Sequence, residues 1–388
     1  MPTAAAIGAT LACLAAGFWL KAPCASHAWG GGFEYRRLCY NDLQPLYYAR
    51  GIADGKLPYR DVDVEYPVVT GTFAWAAGRL ERALGGAGDG DYFRLSALLL
   101  APFALAITLA LRRRVAAARL LWWALGPPLL LYAFANWDLL AVAGAAGGLI
   151  ALDEDRPALA GGALAFGASA KLFPLFFLPS AVASRWAAGD RRGAARVAIA
   201  FAAVACALNL PWLAISARGW LATWRFHARR YPDFGTLWYW IGRAGAALHP
   251  SPYWEPGQSG FRELAGALGL ALFAAAAAWL VARGWRRKLP VAATALAVLC
   301  AFLLAATVHS PQYALWLLPV VVLADVPDPL IVGWLAADVV LFVSGLRWAG
   351  DTNAPGSPWR AVFAAAVFAR ALALAALAWW PMRARRSA

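Results

Sequence analysis

The carboxylates and cations of this chain fall in a few short polar stretches. The first runs from Cys39 to Pro67 (CYNDLQPLYYARGIADGKLPYRDVDVEYP). Asp42 sits there in Tyr40-Asn41-Asp42-Leu43, ahead of Tyr47, Tyr48 and Arg50. A partly desolvated carboxylate beside a membrane surface can take the proton of an attacking hydroxyl, which is general-base chemistry. Asp is also a common helix N-cap, so capping the next helix is the alternative. Further on, Asp61, Asp63 and Glu65 alternate before Tyr66-Pro67. In an extended segment they would share one face, and their oxygens suit a divalent cation; a solvated loop is the plainer role. Pro67 holds Tyr66 extended.

Three interruptions follow in apolar surroundings. Asn136-Trp137-Asp138 separates two apolar runs, and Asp138 is placed to cap the second or favour its dipole. Lys171, in Ala170–Pro174, has no carboxylate close in sequence, so its ammonium needs a partner: a phosphate, a carboxylate from another helix, or water reached by snorkelling. In His309-Ser310-Pro311-Gln312-Tyr313, Pro311 breaks the helix, while His309 and Gln312 offer donors for a phosphate or sugar hydroxyls. A plain turn is the alternative. Asp338 lies mid-run in Trp334–Val343, suited to pairing with an Arg or Asn.

The elements that carry these residues are apolar helices. The chain has 388 residues, 62% hydrophobic and 14% charged, where soluble domains carry about 25% charged residues. Apolar helices are expected at 4–20, 92–111, 118–135, 137–152, 158–170, 172–184, 196–215, 262–282, 290–308, 313–324, 329–346 and 359–381. This predicts an all-α polytopic membrane protein with about twelve transmembrane helices in one domain, residues 1–388. The N-terminal run has no basic leader region and is expected to be a retained first helix. Many of the 21 Trp flank apolar runs, as an interfacial belt does.

The net charge of +14 does not point to nucleic acid. Much of it lies at the ends of apolar runs, in Arg112–Arg114, Arg185–Arg192, Arg283–Lys288 and Arg383–Arg386, and reads as cytoplasmic anchors. With Arg112–Arg114 inside, alternation puts all four clusters and Asp153–Arg156 inside. The loops 21–91, 216–261 and 347–358 then fall outside, with Asp42, Lys171 and His309 near the outer face. Two places strain this topology. The run 158–184 is too short for two full crossings, so two short or broken helices should meet near Lys171–Pro174, where irregular backbone must line a cavity or be buried. Val68–Leu84 is apolar enough to insert but would reverse every later loop, so an outer juxtamembrane helix is expected. The loop 216–261, with WLATWRFHARRYPDFGTLWYW, suits an amphipathic helix at the headgroup layer; Arg225, Arg229 and Arg230 could meet lipid phosphates, and Arg225 and His227 are pocket candidates. The five Cys show no metal spacing. Cys24 and Cys39 share the first outer loop and are candidates for a disulfide.

Together these motifs resemble integral-membrane glycosyltransferases of the C superfamily, and family 87 in particular, the polyprenol-phosphate-mannose-dependent mannosyltransferases of actinobacteria. The resemblance is carried by Asp42 in the first outer loop, Pro58-Tyr59 with Glu65-Tyr66-Pro67, Lys171 to Pro174, and Ser310–Tyr313 before Trp316 and Pro319. It departs at Tyr66-Pro67-Val68, where relatives often carry Tyr-Pro-Pro, and in lacking the soluble carbohydrate-binding domain of many superfamily members. The resemblance implies a C-type fold in the plasma membrane, its active site on the extracytoplasmic face. There a sugar, most naturally mannose, would move with inversion from a polyprenyl-phosphate donor to a lipid or glycan acceptor. Asp42 would be the catalytic base; Lys171, His309 and Arg50 would hold the donor phosphate. Tyr47, Glu65, Tyr66, Asn136, Asp138, Gln312, Tyr313, Arg225 and His227 are the substrate-pocket candidates. No cofactor is expected, though the acidic strip leaves a divalent cation open. A transporter or flippase of a lipid-linked solute is the alternative, since broken helices with Lys171 and Asp338 suit it as well.

Overall fold

A computed structural model describes residues 1–27, 29–249 and 251–383 of the chain. The described residues are helical, with one isolated bridge between Pro58 and Val62. Six helices are long and apolar enough to cross a membrane: Thr3–Lys21, Asp89–Leu111, Arg191–Ile215, Ser259–Arg287, Asp328–Gly350 and Pro358–Arg383. Three shorter apolar helices, Pro157–Ala170, Val291–Ala305 and Tyr313–Leu323, lie among them. The chain is a multi-pass membrane protein. Cys13, Cys206 and Cys300 are free, and Cys24 and Cys39, candidates for a disulfide, form one, with Cα atoms 5.7 Å apart.

The short helices form the centre. Thirteen of the sixteen residues of Asp138–Asp153 are buried, against three of twenty-five in Arg191–Ile215, so the first is enclosed by protein and the second lies at the periphery. Pro157–Ala170 packs between those two. Small residues allow this: a Cβ on Gly144 would stand 2.6 Å from the Gly167 backbone, and one on Gly161 would stand 2.1 Å from the Val197 carbonyl oxygen. Helices in lipid associate through such close van der Waals contact, not through a hydrophobic drive.

One expected helix is interrupted. The run 118–135 is two helices, Ala117–Ala124 and Pro127–Tyr132, because Pro127 and Pro128 cannot donate into the preceding turn and start a new helix at its N-terminus. The break expected near Lys171 is present. Pro157–Ala170 ends there, Lys171 is extended (φ −148°, ψ 142°), and a tight 3-10 turn, Phe173–Phe177, leads into Leu178–Ala187. Val68–Ala83 is helical and not among the helices long enough to span. Of the basic cluster Arg383–Arg386, Arg385 and Arg386 lie outside the described residues.

The segment Leu57–Tyr66 corrects the extended acidic strip. Pro58–Val62 closes a tight turn in which the Tyr59 amide donates to the Val62 carbonyl and Asp61 accepts from the Leu57 amide. The backbone turns to satisfy its own donors, so the segment is not extended through Asp61. Tyr59 takes a left-handed φ of 66°, a strained choice for an aromatic residue. The turn is held from outside: a Cβ on Gly219 of the helix Ala217–Ala228 would collide with the Tyr59 carbonyl oxygen at 1.6 Å.

Candidate active site

Asp42 stands at the start of the helix Leu43–Ala49 but does not cap it. Asn41 does, its Oδ1 accepting from the Gln44 amide at 3.0 Å. The Asp42 carboxylate is therefore free for other partners. Tyr40 Oη donates to Oδ1 at 2.9 Å. Asn136 Nδ2 and Gln312 Nε2 donate to Oδ2 at 2.6 Å and 3.2 Å. The Asp42 main chain is tied across the fold by its amide, which donates to the Ala135 carbonyl at 2.7 Å. The nearby carboxylate and burial drive the Tyr40 phenol far above the usual tyrosine range, so Tyr40 keeps its proton and acts as a donor.

Asn136 and Tyr66 connect this group to the central helices. Asn136 is fully buried, and its Nδ2 also reaches Tyr66 Oη at 2.8 Å. Lys171 lies over the Tyr66 ring, Nζ 4.6 Å from its centroid. The same Nζ is 3.5 Å from Asp138 Oδ1, so the cation finds its carboxylate on a neighbouring helix. Trp316 Nε1 donates to that Oδ1 at 2.5 Å. Phe173 and Tyr313 stack on Trp316, with centroids 4.5 Å and 3.8 Å apart.

The loop between Val291–Ala305 and Tyr313–Leu323 brings the third group. His309 is 4% exposed, and neither of its ring nitrogens has a hydrogen-bond partner among the described residues. Burial, with Arg370 acting in the same direction, holds this ring well below the usual histidine range and so neutral near pH 7. The Asp233 amide donates to the Thr307 carbonyl at 3.0 Å, which fastens Tyr231–Gly235 to the same loop. Arg230 Nη2 stands 3.7 Å from Asp233 Oδ2. His227 closes the other side, its Nε2 2.9 Å from the Glu65 carbonyl oxygen.

Asp42, Lys171, His309, Glu65, Tyr66, Gln312, Tyr313 and His227 line one cavity of about 580 Å³, set among apolar side chains such as Leu46, Phe226, Leu341 and Phe342. Asn136 and Asp138 are buried directly behind Asp42 and Lys171. Beside this chamber runs an apolar groove of about 300 Å³, walled by Leu172, Phe173, Gly266, Leu270, Phe273 and Phe302 among others. The two spaces share Tyr66, Lys171, His227 and Tyr313. Among the described residues, no three His, Cys, Asp or Glu side chains cluster at metal-ligand spacing.

Three expected site residues are placed elsewhere. Arg50 is paired with Glu65, and its guanidinium does not line the cavity. Tyr47 turns away and donates to Glu81 at 2.9 Å, because its helix buries that face against Tyr92. Arg225 is exposed on the helix Ala217–Ala228 and also lies off the cavity. Conversely Tyr40, Arg230 and Asp233 line the chamber. Arg230 is one of the three loop arginines noted above for lipid phosphates; Asp233 escaped notice, its signal being the Tyr-Pro-Asp-Phe-Gly turn that follows Arg230.

The family model for glycosyltransferase family 87 matches residues 91–311, more than half of the chain. That stretch holds Asn136, Asp138, Lys171, Arg230, Asp233 and His309, while Asp42, Tyr66, Gln312 and Tyr313 lie outside it. No curated protein and no solved structure matches.

Proposed function

The chain belongs to glycosyltransferase family 87, and from that membership we propose that it moves a hexose, mannose in the first instance, from a polyprenyl-phosphate donor to a lipid or glycan acceptor. The observation that carries this reading is the junction of the Asp42 chamber with an apolar groove at Lys171 and Tyr66. A lipid-linked sugar has this division: hydrocarbon, then phosphate, then sugar. Its chain would lie in the groove, its phosphate beside Lys171 with His309 and Arg230 as further donors, and its sugar in the chamber facing Asp42. Asp138 holds the Lys171 ammonium in place, so a phosphate would meet an already ordered cation.

In this scheme Asp42 takes the proton of the acceptor hydroxyl as its oxygen attacks the anomeric carbon. The bond from that carbon to the phosphate oxygen breaks on the opposite face, and the electron pair leaves with the lipid phosphate. One displacement inverts the anomeric centre. Tyr40, Asn136 and Gln312 keep the carboxylate oriented. Arg50 supports Glu65 through their ion pair.

The chamber is proposed to face the extracytoplasmic side of the plasma membrane, with the basic helix ends in the cytoplasm and about twelve crossings once the short central helices are included. Cysteine-accessibility labelling that puts position 42 and the Arg283–Lys288 loop on one side would reject this topology. The transfer itself is tested with purified protein, labelled polyprenyl-phosphate mannose and a panel of lipid and glycan acceptors. Label should pass to an acceptor with inverted configuration. Transfer from a nucleotide sugar but not from the lipid donor would overturn the proposal.

A further inference from the structure

Lys21 is the last residue of the first spanning helix and is 1% exposed. A lysine at a helix end in a membrane ordinarily extends its ammonium to water. Here Nζ turns inward, donates to the Tyr40 carbonyl at 2.8 Å and stands 5.1 Å from the Phe342 ring centroid. It forms no ion pair among the described residues. Burying a cation in this way is costly, and a cation kept at that cost marks a function more often than a filler.

The chain runs from Lys21 to Asp42 through two short links. Lys21 holds the Tyr40 main chain, and the Tyr40 phenol donates to Asp42 Oδ1 at 2.9 Å. The Cys24–Cys39 disulfide closes the loop between these two residues, so the end of the helix and the Tyr40 backbone form one body. The groups that bear on Asp42 from all sides are the phenols of Tyr35, Tyr40 and Tyr66, the amides of Asn136 and Gln312, the carboxylate of Asp138, and Lys21. Lys171 and Arg230, the Lys and Arg side chains on the chamber wall, stand beside Asp138 and Asp233. Lys21 thus supplies a positive charge that no carboxylate has already matched.

We propose that Lys21 is a positioning residue for Asp42: its buried ammonium orients the Tyr40–Asp42 hydrogen bond and favours the charged carboxylate. This rests on the assignment of Asp42 as the general base.

The test uses full-length wild type, Lys21→Met and Lys21→Arg in detergent, with folding checked by thermal melting. Lys21→Met should lower kcat by roughly 10–100-fold while KM for polyprenyl-phosphate mannose stays within about threefold. The acid limb of its kcat/KM profile should move to higher pH, because an opposite charge near a carboxylate favours the ionised form. Lys21→Arg should recover most of the rate. A second measurement does not need turnover: carbodiimide labelling of Asp42 at pH 6, read by peptide mass spectrometry, should rise at least about threefold in Lys21→Met, since only the protonated carboxyl reacts. Wild-type labelling and an unmoved acid limb in Lys21→Met overturn the proposal, as does a rate loss that Lys21→Arg fails to relieve. If wild type transfers no sugar, the base assignment fails, while the labelling still decides whether Lys21 acts on Asp42.

Discussion

Asn136 Nδ2 lies 2.6 Å from Asp42 Oδ2, joining a loop residue to the start of a central helix 94 positions later. The amide has no charge to lose and cannot take the proton from Asp42. It holds the carboxylate in place toward the chamber.

Asp42→Asn preserves the size and much of the hydrogen bonding but removes the base. The variant should insert and melt like wild type, while turnover falls roughly 10²–10⁴-fold. Asp61→Asn and Asp63→Asn, both exposed, serve as controls and should turn over normally. If Asp42→Asn remains active and Glu65→Gln does not, the base is Glu65.

Lys171 and Asp138 can be separated by a double-mutant cycle. Lys171→Met leaves Asp138, fully buried, without its cation and should cost about 3–5 kcal/mol. Lys171→Met with Asp138→Asn should regain most of that stability but little activity, because the phosphate partner is still missing. Recovered turnover in the double variant would show that Lys171 serves the fold alone. Melting temperature and single-turnover rate give the two readouts.

His309 gives a pH signature. Its folded value lies well below the ordinary histidine value of about 6.5 expected when unfolded. The unfolded chain then binds the proton more readily, so the contribution of the neutral ring is complete above about pH 6.5 and is lost as the pH falls below it. Between pH 7.5 and 5, His309→Gln should lose less stability than wild type. Parallel pH dependence of the two melting curves would contradict this.

Gly266 lines the apolar groove, and a Cβ added there meets nothing within 4 Å. Gly266→Leu should therefore fold, with a small gain in helix propensity of up to about 1 kcal/mol. The side chain would occupy space proposed for the lipid. KM should rise for a long-chain polyprenyl-phosphate donor and change little for a two-isoprene analogue. Equal effects on both donors would place the chain elsewhere.

The interruptions were legible because they are local. Proline and a lone lysine in an apolar run act on the backbone next to them, so the break at Lys171–Pro174 and the turn at His309–Gln312 follow from neighbouring residues alone. Even there one local signal was misread: Pro127-Pro128 splits the expected helix 118–135. The acidic strip failed for a related reason, since alternation fixes a shared face only if the backbone stays extended, and Pro58–Val62 turns.

The sequence by itself determined an apolar helical membrane protein, its punctuation, and the presence of Asp42, Lys171 and His309 at helix ends or breaks. Tertiary packing alone decided who meets whom. Asn41, not Asp42, caps Leu43–Ala49; Lys171 finds Asp138; Arg50 is taken by Glu65; Tyr47 turns to Glu81. Each is a choice of partner for a polar group withdrawn from water. That choice depends on which donors and acceptors packing brings within a few ångströms, a distance that separation along the chain does not encode.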